Sequence, residues 1–174
     1  MLSPRAEVGR LSEAEGEWDV SYWRSYYHVV WATKGREPLI DTEREALLRR
    51  SFQATCTKHG LRCHAMGFMP DHVHLALSIP PKFAISVLMA EIKGSGTHRL
   101  NHHPESAGRG TFGWQSEFGV LSFKERSLST VTEYLFNQAE RHADGTLYPG
   151  LERIERHEAP VGVDGRPISL GEAS

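Results

Sequence analysis

The short segment Met69–Leu75 (MPDHVHL) contains two histidines, His72 and His74, at alternate positions of a run that is typical of a β-strand. Side chains on a strand alternate between its two faces, so both imidazoles point the same way while Val73 points toward a core. Two neutral imidazoles on one face provide half of a divalent-metal site. Histidine pairs at this spacing also occur as ordinary exposed strand residues, and the pair alone favours that second interpretation.

A tyrosine and a glutamine follow about sixty residues later, where Tyr134 and Gln138 share one face of a predicted helix. A tyrosine hydroxyl can attack a phosphodiester to form a phosphotyrosyl ester. Because a phenol titrates near ~10, a DNA hydroxyl can later displace it. A metal ion would polarise the phosphate, and the Gln138 amide oxygen can be its third ligand, a donor set that suits Mg²⁺ or Mn²⁺. Taken singly, Tyr134 also fits a core position and Gln138 a surface position.

Hydrophobic periodicity and turn residues predict the elements that must position these side chains. The predicted strands are Ser25–Thr33, Leu61–Phe68, His72–Ile79 and Phe118–Phe123, and the predicted helices run from Asp41 or Thr42 to His59, from Ala84 to Leu100, and from Ser127 or Ser129 to His142. This β-α-β-β-α-β order predicts an α+β fold, a ferredoxin-like or RRM-like split βαβ antiparallel sheet, with an added C-terminal helix that carries Tyr134. In that topology His72 and His74 lie on a central strand, and the free sheet face is available for a ligand.

Composition and charge predict one soluble domain with two tails. Of the 174 residues 39% are hydrophobic and 24% are charged, and no run resembles a membrane span or a signal peptide. Cys56 and Cys63 lack metal-type spacing, so reduced thiols in the cytoplasm are expected. Residues 22–144 carry 15 basic and 12 acidic side chains, whereas the two ends together carry 5 basic and 10 acidic ones. The mildly basic middle is compatible with a phosphate-binding face.

The domain organisation follows from the same patterns. Residues 1–21, rich in Glu, Gly and Ser, are expected to be a disordered tail, and residues 22–144 are expected to be the catalytic domain. Residues 145–174 are expected to be a mostly irregular C-terminal tail, in which Leu151 and Ile154 can form a short docking helix.

Five segments between about Tyr26 and His142 together resemble the single-tyrosine HUH transposases of small bacterial insertion sequences, the IS200-like class. MPDHVHL is similar to the His-hydrophobic-His motif of the HUH nucleases. The other segments, which keep the family's order, are YHVVW with its following Thr-Lys, EIKGSGTHRLN, FGWQSEFGVLSF and VTEYLFNQAERH. Asn137–Glu140 favours the insertion-sequence branch over the REP-associated tyrosine transposases, which usually carry an Asn-Pro-Val-like sequence there. The segment EFGVLSFKERS, which precedes the tyrosine helix, differs from the sequence that is more usual in the family.

The resemblance implies cleavage and rejoining of single-stranded DNA through a 5′-phosphotyrosyl intermediate. It implies that Tyr134 is the nucleophile and that His72, His74 and Gln138 bind Mg²⁺ or Mn²⁺. It further implies hairpin-bearing element ends as the DNA partner, a homodimer in which the tyrosine helix can complete the partner's site, and a cytoplasmic, nucleoid-associated protein of a bacterium or archaeon. The alternative is a domesticated or non-catalytic RRM-like module that binds nucleic acid, although a binder has no need for these four residues together.

Overall fold

The computed structural model describes residues 22–104 and 108–154, and its elements follow the order expected from the sequence. The strands are β1 (Tyr26–Ala32), β2 (Arg62–Phe68), β3 (His72–Ser78) and β4 (Gly119–Phe123). The helices are α1 (Thr42–Lys58), α2 (Ile85–His102), α3 (Leu128–Phe136), α4 (Gln138–Asp144) and α5 (Pro149–Glu152). The two expected tails lie outside the described residues, except for positions 145–154.

The four strands form one antiparallel sheet in the order β2-β3-β1-β4, which confirms the ferredoxin-like arrangement. β1 and β3 occupy the centre, and their register pairs Val30 with His74 and Ala32 with His72. Directly opposed residues of neighbouring strands share a face. The two histidines therefore lie beside small and aliphatic side chains on the same side of the sheet.

Helices α1 and α2 cover the other side of the sheet and enclose the main core. The Asp41 side chain accepts a hydrogen bond from the Arg44 backbone N–H at 3.0 Å and so caps the start of α1. Gly60, with a φ of +64°, follows the end of that helix, in the left-handed conformation that glycine adopts without strain. Phe52 of α1 packs against Trp31 of β1 with ring centroids 5.6 Å apart. Apolar residues of this face are buried because both helices press their apolar sides onto it.

The histidine side of the sheet is also covered, so the expectation of a free sheet face is wrong. α3 packs there through Val131 and Leu135 and α5 through Leu151, and Ile154 packs just after the end of α5; all four residues are buried. The apolar sides of these helices find room because this face of the sheet carries alanines and Gly67. A Cβ atom at Gly67 would lie 3.0 Å from a backbone carbonyl oxygen of α3, which shows how closely this helix approaches β2.

The last expected helix is also interrupted. Asn137, with φ −98° and ψ 18°, separates α3 from α4, so the single helix expected through His142 is two helices in the structure. Hydrogen bonds from the Asn137 N–H to the Glu133 carbonyl and from the Arg141 N–H to the Asn137 carbonyl bridge the interruption. Because these helical hydrogen bonds continue across Asn137, Tyr134 and Gln138 stay on the same side of the two helices. Within 22–104 and 108–154, no helix has the length and apolar character needed to cross a membrane.

Candidate metal and tyrosine site

His72 and His74 lie at the centre of a closed site between the sheet and helices α3–α5. His72 is 4% exposed and His74 is fully buried. Their ring centroids are 5.0 Å apart, as expected for two side chains on the same face of one strand. The prediction that both point to one face is confirmed by the register of β3, but neither is an exposed strand residue.

Neighbouring groups orient both rings. The Nδ1 atom of His74 lies 2.9 Å from Nε2 of His28, and Nδ1 of His72 lies 2.5 Å from Oδ1 of Asp71. Burial, and then the neighbouring His74, lower the pKa of His28 to about 3, so His28 is neutral and can accept a hydrogen bond from Nδ1–H of His74. With Nδ1–H donated outward on both rings, each Nε2 lone pair points into the site. This arrangement of supporting hydrogen bonds is typical of metal-binding histidines.

Gln138 completes the set that the sequence predicted, because its amide reaches the histidines from α4. Gln138 Nε2 lies 3.0 Å from His74 Nε2 and 3.0 Å from His142 Nε2, while Gln138 Oε1 is buried without a hydrogen-bond partner among the described residues. A half-turn of the amide exchanges its oxygen and nitrogen at little cost in shape. The turned amide would direct an oxygen ligand at the point where the imidazole lone pairs meet.

Two further residues of the site were missed by the sequence analysis, His142 and Glu152. His142 lies one turn beyond Gln138, so the stripe Tyr134, Gln138, His142 at four-residue spacing was the signal that could have revealed it. Glu152 belongs to the segment expected to be a mostly irregular tail, and nothing in its local pattern marks it. One ligand atom from each of His72, His74, His142 and Glu152 lies within 4.8 Å of all the others.

The electrostatics of this cluster favour a cation. Burial alone would raise the pKa of Glu152, but the neighbouring imidazoles of His72 and His74 outweigh burial and hold that pKa well below its ordinary value. Burial alone would lower the pKa of His72, yet the carboxylates of Glu152 and Asp71 outweigh burial and raise it. His72 Nε2 itself is buried without a hydrogen-bond partner among the described residues. An unpaired buried nitrogen beside an ionised carboxylate fits a divalent ion, and nitrogen, amide and carboxylate donors suit Mn²⁺ or Mg²⁺.

Tyr134 places its hydroxyl at the edge of the same cluster. Its ring is fully buried, and its hydroxyl donates a short hydrogen bond to Oε1 of Glu152. Gln138 Nε2 donates to the same oxygen at 2.9 Å. Burial and the neighbouring carboxylate both raise the pKa of Tyr134 above its ordinary value. The Glu152 carboxylate thus connects the candidate nucleophile, Tyr134, with the candidate metal ligands. The sequence did not predict this connection.

Of the other tyrosines, Tyr148 is the one that also lies near this cluster. Its ring centroid is 5.2 Å from that of Tyr134, and its backbone N–H donates to the Tyr134 hydroxyl at 3.4 Å. Arg141 lies over both rings, 5.1 Å from the centroid of Tyr134 and 5.4 Å from that of Tyr148. Tyr148 therefore lies directly beside the Tyr134 hydroxyl.

The sequence of this chain is similar to those of known transposases. The sequence model described as "Transposase IS200 like" matches residues 21–138, which is more than half of the chain. The ISDra2 transposase TnpA of Deinococcus radiodurans is 27% identical over 118 residues, which cover 66% of this chain and 84% of that protein. The transposase for insertion sequence element IS200 of Salmonella typhimurium is 28% identical over 105 residues, so the chain spans 60% of that relative's length.

Two solved structures share the fold. A crystal structure described as a transposase from Deinococcus radiodurans superposes with a TM-score of 0.53 at 26% identity, covering 74% of this chain and 98% of that one. A REP-associated tyrosine transposase bound to a REP hairpin gives a TM-score of 0.54 at 16% identity, covering 85% of this chain and 98% of the other, a likeness that concerns the fold alone. Because the family model matches more than half of its length, the chain belongs to the IS200-like transposase family.

Proposed function

We propose that this transposase cleaves and rejoins single-stranded DNA with Tyr134 as its nucleophile and His72, His74 and Gln138 as metal ligands. One observation carries the proposal. The Glu152 carboxylate accepts a hydrogen bond from Tyr134 through one oxygen, and its other oxygen lies 3.4 Å from His74 Nε2. The Tyr134 hydroxyl and the His74 imidazole thus lie within the span of one carboxylate, close enough for a single phosphodiester to contact both the hydroxyl and a metal held by the histidines.

In the proposed reaction, Tyr134 forms and releases the covalent bond to DNA, and the histidines with Gln138 hold the metal ion. The Tyr134 oxygen attacks phosphorus, an O–P bond to the tyrosine forms, and the bond to the DNA 3′ oxygen breaks and leaves a 3′ hydroxyl and a 5′-phosphotyrosyl ester. A DNA 3′ hydroxyl then attacks the same phosphorus and releases the tyrosine, which rejoins the strand. A bound Mg²⁺ or Mn²⁺ would polarise a non-bridging phosphate oxygen. His28 and Asp71 hold the two imidazoles in the orientation that presents Nε2 to the site.

Access to the hydroxyl requires a change in the cover of the site. Because the Tyr134 ring is fully buried, the Tyr148 side chain must move away from it before a phosphodiester can reach the Tyr134 hydroxyl. Since Glu152 lies in the site, we extend the proposed catalytic domain from residues 22–144 to residue 154.

We propose hairpin-bearing ends of a mobile element as the DNA partner, and a homodimer as the active form, in the cytoplasm with the nucleoid. The mildly basic character of residues 22–144 supports a DNA partner. The hairpin held by the REP-associated structural relative supports the hairpin in particular. In the single chain, Gln138 reaches His74 of its own sheet, and Tyr134 bonds the Glu152 carboxylate beside that histidine. Exchange of the tyrosine helix between protomers of the homodimer stays a prediction.

A non-catalytic RRM-like binder is the alternative function. Such a module would hold nucleic acid on the open face of its sheet. Here that face is covered by α3, by Leu151 of α5 and by Ile154, which follows α5. The covered face and the buried polar cluster beneath it argue for the enzyme.

The test uses purified protein, Mn²⁺ and single-stranded hairpin DNA taken from the sequences that flank the gene. We expect a protein–DNA adduct that survives denaturation, disappears with EDTA, and maps to the peptide segment 131–141. A gel shift without any adduct would instead establish the binder. An adduct on Tyr148 or in the segment 22–27 would leave cleavage standing but remove Tyr134 as the nucleophile.

A further inference from the structure

We propose that Glu152 is itself a ligand of the metal, supplied by a C-terminal strap formed by residues Tyr148–Ile154. This inference rests on the proposed metal site and adds a residue that the family match does not include, because that match ends at Gln138. The strap follows the tyrosine helix and lies across the histidine face of the sheet. Its carboxylate is the one acidic group in the cluster of candidate ligands.

The distances around Glu152 have the pattern of ligands that share one ion. Its Oε2 atom lies 3.4 Å from Nε2 of His74, 3.5 Å from Nε2 of His72 and 3.6 Å from Nε2 of His142. These separations are longer than ordinary hydrogen bonds. Donor atoms about 2.1 Å from a common ion stand roughly 3.0 to 3.5 Å apart, depending on the coordination geometry. The carboxylate oxygen therefore lies at the separation of a shared donor from His72 and His74, and slightly beyond it from His142.

The negative charge of the Glu152 carboxylate also favours its role as a metal ligand. Two imidazoles and an amide form a neutral donor set, whereas hard divalent cations bind best where carboxylate oxygens offset their charge. Glu152 supplies the carboxylate of this cluster, and its Oε2 atom lies 3.4 to 3.6 Å from the three imidazole nitrogens. Removing its charge would leave the proposed site without an anionic ligand from the cluster.

The second oxygen of Glu152 ties the metal position to the nucleophile. Oε1 accepts a hydrogen bond from the Tyr134 hydroxyl, while Oε2 faces the imidazoles. A carboxylate bound to the ion through Oε2 would fix Oε1 and with it the Tyr134 hydroxyl. Glu152 is in this sense both a ligand and a positioning residue for Tyr134.

The strap is held by contacts that are independent of the polar cluster. Leu151 packs in the group of apolar side chains around Tyr134, and Ile154 packs against β1. Gly119 of β4 lies directly under the strap, and a Cβ atom there would overlap the carbonyl oxygen of Arg153. The backbone of the strap thus needs a glycine at position 119, so the placement of Glu152 is built into the fold.

The experiment measures Mn²⁺ binding by electron paramagnetic resonance, with DNA cleavage as a separate readout. Glu152→Gln keeps the shape and a hydrogen-bond acceptor but removes the charge, and it should weaken Mn²⁺ binding at least tenfold. Glu140→Gln, an identical change at an exposed position of α4, is the matched control and should leave the affinity unchanged. Circular dichroism of each variant checks that the fold is retained.

A second pair of variants tests the strap without altering any ligand. Gly119→Ala should weaken Mn²⁺ binding as Glu152→Gln does, because it displaces the strap, whereas Gly150→Ala meets no atom within 4 Å and should not. If Gly119→Ala does not fold, Glu152→Gln still decides the question.

The outcomes separate this inference from the proposed function. Mn²⁺ binding that is lost in His74→Ala but unchanged in Glu152→Gln would overturn only the role of Glu152. Faster cleavage by Glu152→Gln with Mn²⁺ affinity unchanged or increased would show a carboxylate that blocks the site, which also overturns the inference. A parent protein that binds no Mn²⁺ and forms its adduct in EDTA would overturn the proposed metal site together with its fourth ligand.

Discussion

Replacing Tyr134 with phenylalanine separates the chemical role of the hydroxyl from the packing role of the ring. The ring is fully buried and stays in place, so the substitution opens no cavity beyond the hydroxyl. The lost hydrogen bond to the ionised Glu152 carboxylate is of a kind that contributes about 1.5 to 3 kcal/mol. We expect Tyr134→Phe to lower the free energy of unfolding by about 2 kcal/mol and the unfolding midpoint by roughly 4 to 8 °C.

Two assays check this expectation. Urea unfolding followed by circular dichroism measures the stability, and denaturing gels of reactions with hairpin DNA and Mn²⁺ measure the adduct. Tyr134→Phe should fold, bind the DNA and form no adduct, whereas Tyr148→Phe, the same change at a residue that is 48% exposed, should form it with a stability change within about 0.5 kcal/mol. An adduct formed by Tyr134→Phe would refute the assignment of the nucleophile. Unchanged stability would refute the importance of its bond to Glu152.

Three further predictions concern stability. His74→Ala should cost about 2 to 4 kcal/mol in urea unfolding with EDTA present, since it empties a fully buried position; a loss below about 0.5 kcal/mol would contradict that burial. The free energy of unfolding should fall as the pH drops from 6.5 toward 3, because His28 binds a proton in that range when unfolded, whereas folded His28 has a pKa of about 3 and does not. His28→Gln should flatten this decline. An unaltered slope would contradict the role of His28 in the pH dependence. In α2, Gly96→Ala should destabilise by about 1 to 3 kcal/mol because its Cβ would lie 2.8 Å from Phe52, whereas Gly94→Ala, with nothing within 4 Å, should stabilise by about 0.5 to 1 kcal/mol; equal effects on thermal unfolding would refute the packing.

The elements and their order were predictable because they depend on local patterns. Alternation placed His72 and His74 on one face of a strand, and the structure assigns that strand to His72–Ser78. A capping aspartate and a glycine stop predicted the helix that the structure gives as Thr42–Lys58. The β-α-β-β-α-β order predicted the sheet order, since few topologies connect these elements without crossing. Interactions between residues close in the chain were sufficient for each of these steps.

The cover over the histidines and the role of Glu152 were decided by the tertiary structure. α5 has four residues, too few to show a helical period, and its burial depends on small side chains contributed by three different strands. Glu152 meets His74 across 78 positions of sequence, and no local pattern specifies a contact at that separation. The sequence by itself determined which residues could perform the chemistry and on which faces of their own elements they lie. Long-range packing of apolar side chains decided that these faces meet, that the site is closed, and that a carboxylate from the C-terminal strap lies between the metal position and the tyrosine.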